Sequence, residues 1–194
     1  EYVCKTCESR VVEGGYITNI PIKTCTTLIF AFYYHLVTNS VYKLKLSHDR
    51  YSAKALAHFL SKAVDNNIDI KKIDVIISSP KYFNKRCRNK FNHAHVLAKE
   101  VADVLGIFYA PNVLVKIKKT SKQHTLGKTM RSVNLKNAFE VSNKDIICNK
   151  TILLIDDVFT TGATISECSA ALINAGAKKV IAACAAKTNN YDKS

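Results

Sequence analysis

The chain has 194 residues, 47% of them apolar and 23% charged, which suits one ordinary globular domain and excludes a disordered or low-complexity protein. Lys and Arg number 29 against 15 Asp and Glu, and the resulting net charge of +14 favours anionic partners, either phosphorylated metabolites or nucleic acid. The longest apolar run, residues 28–37, is too short to cross a bilayer and contains His35, and seven cysteines without an export signal argue against a disulfide framework. A cytoplasmic location without membrane insertion is expected. A chain that opens on Glu1 rather than Met is expected to be a fragment or a processed form.

In chain order, Cys4 and Cys7 form a Cys-x-x-Cys knuckle, and Cys25 follows 18 residues after Cys7. A structural zinc site takes four ligands in a tetrahedron. Zinc on Cys4, Cys7 and Cys25 is therefore a candidate with one ligand still to be supplied. Residues 27–37, aromatic and β-prone, predict a strand, and residues 41–50 then alternate apolar with basic before a turn. Ala53, Leu56, Ala57, Leu60 and Val64 recur at helical spacing and predict a helix that Asp49 or Ser52 can cap.

Residues 73–79 predict the next strand. It runs into Pro80 and a basic loop carrying Lys81, Lys85, Arg86, Arg88 and Lys90, and a helix is predicted over 92–105. A strand, a cationic loop and a helix N-terminus in succession make a site for an anion. Residues 113–117 predict another strand. The polar stretch 118–131 that follows carries Lys118, Lys119, Lys122, Lys128 and Arg131, a pattern typical of a mobile lid or binding loop. A short strand near Val141 and a turn at Asn149 and Lys150 lead to Thr151. Beyond 164, residues 165–175 predict a helix closed by Gly176, and residues 179–185 the last strand. This alternation predicts an α/β fold with a mainly parallel, doubly wound sheet. The expected organisation is an N-terminal cysteine-containing appendage over 1–28, a main domain over 29–188 and a polar tail over 189–194.

The most informative stretch is 151–164, TILLIDDVFTTGAT. Ile152, Leu153, Leu154 and Ile155 read as a strand buried on both faces. Asp156 and Asp157 follow where that strand would emerge, and a small, hydroxyl-rich loop leads into the helix. Gly162 permits close backbone approach, and Thr160, Thr161 and Thr164 add hydroxyl donors to a phosphate cradle. The carboxylates would repel a phosphate, so they serve another part of the ligand. Ionised carboxylates only accept hydrogen bonds, which suits sugar hydroxyls or the water shell of magnesium. A ribose 5-phosphate carries both features.

Residues 152–164 resemble the 5-phosphoribosyl-1-pyrophosphate (PRPP) motif of type I phosphoribosyltransferases: four apolar residues, two acidic ones, then a Thr-Thr-Gly loop. Three further segments are similar to the ComF family, the competence-associated branch of that group. They are KLKLSHD at 43–49, KRCRNKFNHAHVLA at 85–98 and KKTSKQHTLGKTMRSVNLKNAF at 118–139. The family's Arg-Gly-Phe-Asn-Gln-Ala box is kept in Phe91, Asn92 and Ala94, whereas Asn89 and Lys90 replace its Arg-Gly. Cys4, Cys7 and Cys25 resemble the remains of its zinc module.

The resemblance implies the type I phosphoribosyltransferase fold with a mobile lid, and PRPP with magnesium as ligand. Asp156 and Asp157 would take the ribose hydroxyls and hold magnesium chiefly through water. Thr160, Thr161, Gly162, Ala163 and Thr164 would surround the 5-phosphate. Ser79, Pro80 and Lys81 would face the pyrophosphate, and Lys119 and Arg131, with Lys122 or Lys128, would close from the lid. Asp156, Asp157, Lys119 and Arg131 are the implied catalytic residues, for transfer of the phosphoribosyl group to an unidentified acceptor with release of pyrophosphate. The alternative is a non-catalytic, PRPP-responsive protein that handles single-stranded DNA in competence, using Lys85, Arg86, Arg88 and Lys90. A homodimer is compatible with either.

Overall fold

Ile152, Leu153, Leu154 and Ile155 are all fully buried, and alternate side chains enter two different apolar clusters, as a strand covered on both faces requires. The computed structural model describes residues 15–18, 22, 24, 25, 27–46, 49–82, 91–119 and 135–188. Its elements are β1 (Gly15–Thr18), β2 (Thr27–Tyr33), α1 (Tyr34–Leu46), α2 (Arg50–Asn67), a 3-10 turn (Ile70–Lys72), β3 (Val75–Ser78), α3 (His93–Leu105), β4 (Leu114–Lys116), β5 (Phe139–Val141), β6 (Thr151–Phe159), α4 (Ala163–Asn174) and β7 (Lys179–Lys187). The main sheet has the order β1-β2-β7-β6-β3. Strands β2, β7, β6 and β3 run parallel, and β1 joins the edge antiparallel to β2. β4 and β5 form a separate antiparallel pair, with Leu114 opposite Val141.

One face of the sheet packs Ile29, Ile76, Leu153 and Ile155 against Val41 and Leu44 of α1, Leu56 and Leu60 of α2, and Leu97 and Val101 of α3. The other packs Leu28, Val75, Ile77, Ile152 and Leu154 against Ile165, Cys168 and Leu172 of α4. The helix after β3 thus covers one face and the helix after β6 covers the other. Since β3 and β6 are neighbours, their carboxyl ends flank a crevice, the usual ligand position in open α/β sheets.

The expected doubly wound, mainly parallel architecture is present, and Asp49 caps α2 through Oδ1 to Tyr51 N (3.2 Å) and Oδ2 to Ser52 N (3.1 Å). Two elements differ from expectation. The strand predicted over 27–37 ends at Tyr33, and the chain turns at once into α1, bent where Val37 leaves helical geometry (φ −126°, ψ 17°). Tyr34, Val37, Val41 and Leu44 all pack on the same cluster, and that three-and-four spacing is satisfied only by a helix. The strand predicted to end before the acidic pair runs on to Phe159, because β7 pairs with it as far as Lys187 opposite Phe159. Residues assigned to the appendage contribute β1, and Ile22 and Cys25 are buried against α4's side of the sheet. Among the described residues no helix is long and apolar enough to cross a membrane.

Candidate functional site

A cleft of about 680 Å³ opens at the carboxyl ends of β3 and β6. Its lining includes all ten residues expected to hold the ligand: Ser79, Pro80, Lys81, Asp156, Asp157, Thr160, Thr161, Gly162, Ala163 and Thr164. They come from two distant segments, the loop after β3 and the stretch from the end of β6 into α4, with Ser79 and Asp156 77 residues apart. The β3–β6 ladder joins them, since Ser79 N continues it with a bond to Ile155 O (2.8 Å).

The two carboxylates are neighbours in sequence but meet different partners, because strand alternation turns them to opposite sides. Asp156 Oδ1 accepts from Ser79 Oγ (2.7 Å) and from Asp157 N (3.0 Å). Asp157 Oδ1 accepts from Val158 N (2.7 Å), and its Oδ2 pairs with Lys45 Nζ at 3.0 Å. Burial, reinforced by the charge of Asp157, pushes Asp156 up to about 7, although the Ser79 hydroxyl and Lys45 pull the other way. Burial works against the Lys45 ammonium too, but the adjacent Asp157 carboxylate outweighs it and holds Lys45 above the usual lysine value.

The hydroxyl-rich loop ends in Gly162, the N-cap of α4, with φ 79°. That left-handed conformation disfavours a side chain, and a Cβ there would lie 2.9 Å from Phe159 Cζ and 3.1 Å from Ile22 Cδ1. Gly162 brings no capping side chain of its own, and Thr161 Oγ1 accepts only a long bond from Ala163 N (3.4 Å), so the start of α4 lies at the cleft behind the hydroxyl-rich loop. Opposite, Asn92 Nδ2 donates to Ser79 O (3.0 Å) and Lys81 Nζ donates to Phe91 O (3.3 Å), tying the loop after β3 to the start of α3. Lys116 of β4 also lines the cleft, lies over the Phe139 ring at 5.5 Å, and has its pKa lowered by burial.

Other expected site residues are not among the cleft's described lining. Lys119 is exposed and stands outside the cleft's described lining. Lys122, Lys128 and Arg131, the basic residues Lys85, Arg86, Arg88 and Lys90, and the knuckle residues Cys4 and Cys7 lie outside the described residues. Cys25 is buried to 1% exposure, donates to Thr27 O (3.3 Å), and has a thiol pushed up by burial.

Sequence reasoning did not single out Lys45, Asn92 or Lys116 as site residues. Lys45 and Asn92 fall in segments already noted for resemblance, 43–49 and 85–98. Lys116 carried no signal, since its place depends on β4 pairing with β5.

The comparisons with known proteins agree with this geometry. Residues 92–193 match the family described as phosphoribosyl transferase domain, and the chain belongs to that family. Its ComF character holds as well. A protein named DNA utilization protein YhgH from Salmonella typhimurium is 30% identical over 151 residues, covering 76% of this chain and 66% of that protein. Competence protein F from Haemophilus influenzae is 28% identical over 157 residues, covering 79% and 69%. The chain therefore spans about two thirds of the length of these relatives. Among solved structures, the APRTase of Giardia lamblia complexed with 9-deazaadenine aligns over 97% of this chain and 100% of that one, with 14% identity and a TM-score of 0.50, a likeness of fold.

Proposed function

We propose that the cleft binds PRPP with magnesium and transfers its phosphoribosyl group to an acceptor, releasing pyrophosphate. The observation that carries this reading is the meeting of three chemistries in one cleft: a diacid near the end of β6, the start of α4 behind a threonine-rich loop, and a lysine-bearing loop after β3. The helix start and the threonines suit the 5-phosphate. Asp156 and Asp157 accept from the ribose hydroxyls. Ser79, Pro80 and Lys81 face the pyrophosphate.

The donor set suits magnesium. Among the described residues no group of three or more His, Cys, Asp or Glu could hold a metal. Two carboxylates alone fit an ion that keeps most of its water and takes the rest of its ligands from phosphates. Bound with the ligand, magnesium would neutralise charge growing on the leaving pyrophosphate. The residues of the chain hold and orient. The C1–oxygen bond to pyrophosphate breaks and a bond from C1 to the acceptor forms, with positioning and preorganised charge supplying most of the acceleration.

A second reading keeps the ligand and drops the chemistry: a PRPP-responsive protein that handles single-stranded DNA. The net charge of +14 and the names of the relatives, DNA utilization protein and Competence protein F, favour it. Of the aromatics expected to stack on bases, Tyr34 packs on the core, Tyr33 stacks on His35 (14° between planes), Tyr82 lines the cleft, and Phe83 lies outside the described residues. One experiment separates the readings. Wild-type protein is incubated with PRPP, magnesium and a panel of amines, bases and nucleosides, and pyrophosphate is measured. A transferase releases it with at least one acceptor, about a hundredfold or more slower in Asp157→Asn. Binding of PRPP with no release from any acceptor supports the handling protein instead.

A further inference from the structure

Lys45 belongs to neither loop of the cleft. It arrives from the last turn of α1, with its Nζ 3.0 Å from Asp157 Oδ2 and its side chain 32% exposed in the lining. The far oxygen of Asp157 is already fixed by Val158 N, and Asp156 Oδ1 by Ser79 and Asp157 N. The diacid is thus held in place from behind, and one cation stands beside it facing the same space.

A sugar hydroxyl is both donor and acceptor, whereas ionised carboxylates can only accept. A site made of carboxylates alone satisfies the hydroxyl hydrogens and leaves the oxygens without a donor. An ammonium has three N–H groups, and the pair with Asp157 uses one of them. Among the described residues no second partner takes the other two, which are enough to reach two adjacent oxygens. We infer that Lys45 is a sugar-binding residue that donates to the vicinal diol held by Asp156 and Asp157, and so makes the cleft select ribose over 2-deoxyribose phosphates. This rests on the ribose-phosphate reading of the cleft. It adds that a 5-phosphorylated deoxyribose, such as a DNA strand end presents, is rejected there.

The test uses ribose 5-phosphate and 2-deoxyribose 5-phosphate as probes, each titrated without metal into the wild type, Lys45→Met and Lys45→Arg, with folding checked by circular dichroism. Loss of a hydrogen bond to a charged group predicts that the wild type prefers ribose by about tenfold or more, and that Lys45→Met narrows the preference to about threefold. Lys45→Arg keeps most of the preference. A merely structural lysine would weaken both sugars equally and leave the ratio unchanged, and that result overturns the inference alone. The wild-type ratio is decisive without any variant, since equal affinity for the two sugars also overturns it. A wild type that binds neither sugar phosphate overturns the ribose-phosphate reading, and this inference with it.

Discussion

Asp156 and Asp157 occupy consecutive positions and meet different surroundings. Asp157 has Lys45 beside it, while Asp156 is half-buried beside a like charge and is pushed up to about 7. An unfolded Asp titrates near 4, so between about pH 4 and 7 the folded chain keeps a proton that the unfolded chain has lost. Stability from this group therefore falls as pH rises through that window and levels off above it. Asp156→Asn removes the penalty, and urea denaturation should find the variant more stable than wild type at pH 8, with little difference at pH 4. Equal gains at both pH values would mean that Asp156 is not the titrating group. The residues of this site were legible from 151–164 because the motif is continuous in the chain. The pairings among them were not: Ser79 was expected in the site, but it lies 77 residues from the Asp156 it bonds, and no local pattern connects Lys45 to Asp157.

At the scale of elements, the junction between β6 and α4 carries the greatest constraint. Gly162 has φ 79°, and Phe159 and Ile22 close over the position a Cβ would take. Gly162→Ala should cost about 1–3 kcal/mol, read as a lower urea midpoint with unchanged slope. A neutral substitution would mean that the loop relaxes freely and is no rigid cradle. The strand, loop and helix around this glycine were predictable because buried apolar runs and small-residue loops are local signals. Residues 34–46 were not, since Tyr34 and Val37 extend an aromatic β-prone run while Val41 and Leu44 alternate with basic residues. Packing of Val41 and Leu44 on one cluster settles that segment as a helix and thereby brings Lys45 to the cleft. The length of β6 was likewise decided by its partner, because pairing to β7 continues past the acidic residues.

At the scale of the whole molecule, strand order locates the cleft. α3 and α4 leave adjacent strands toward opposite faces, so the carboxyl ends of β3 and β6 diverge just where Ser79 and the diacid project. The alternation of strands and helices predicted this class of fold, but the adjacency of β3 and β6 is a property of topology that spacing along the chain does not encode. The two segments form the cleft only as a pair, the end of β6 and the turn into α4 supplying two carboxylates and three threonines, the loop after β3 supplying Ser79 and Lys81. Calorimetric titration of PRPP with magnesium into the wild type and into Asp156→Asn/Asp157→Asn, both shown to be folded, tests that pairing most directly. Micromolar binding by the wild type, weakened about a hundredfold or more in the double variant, is the predicted result. No binding by the folded wild type, or equal binding by both, would contradict the assignment of this cleft to a ribose phosphate.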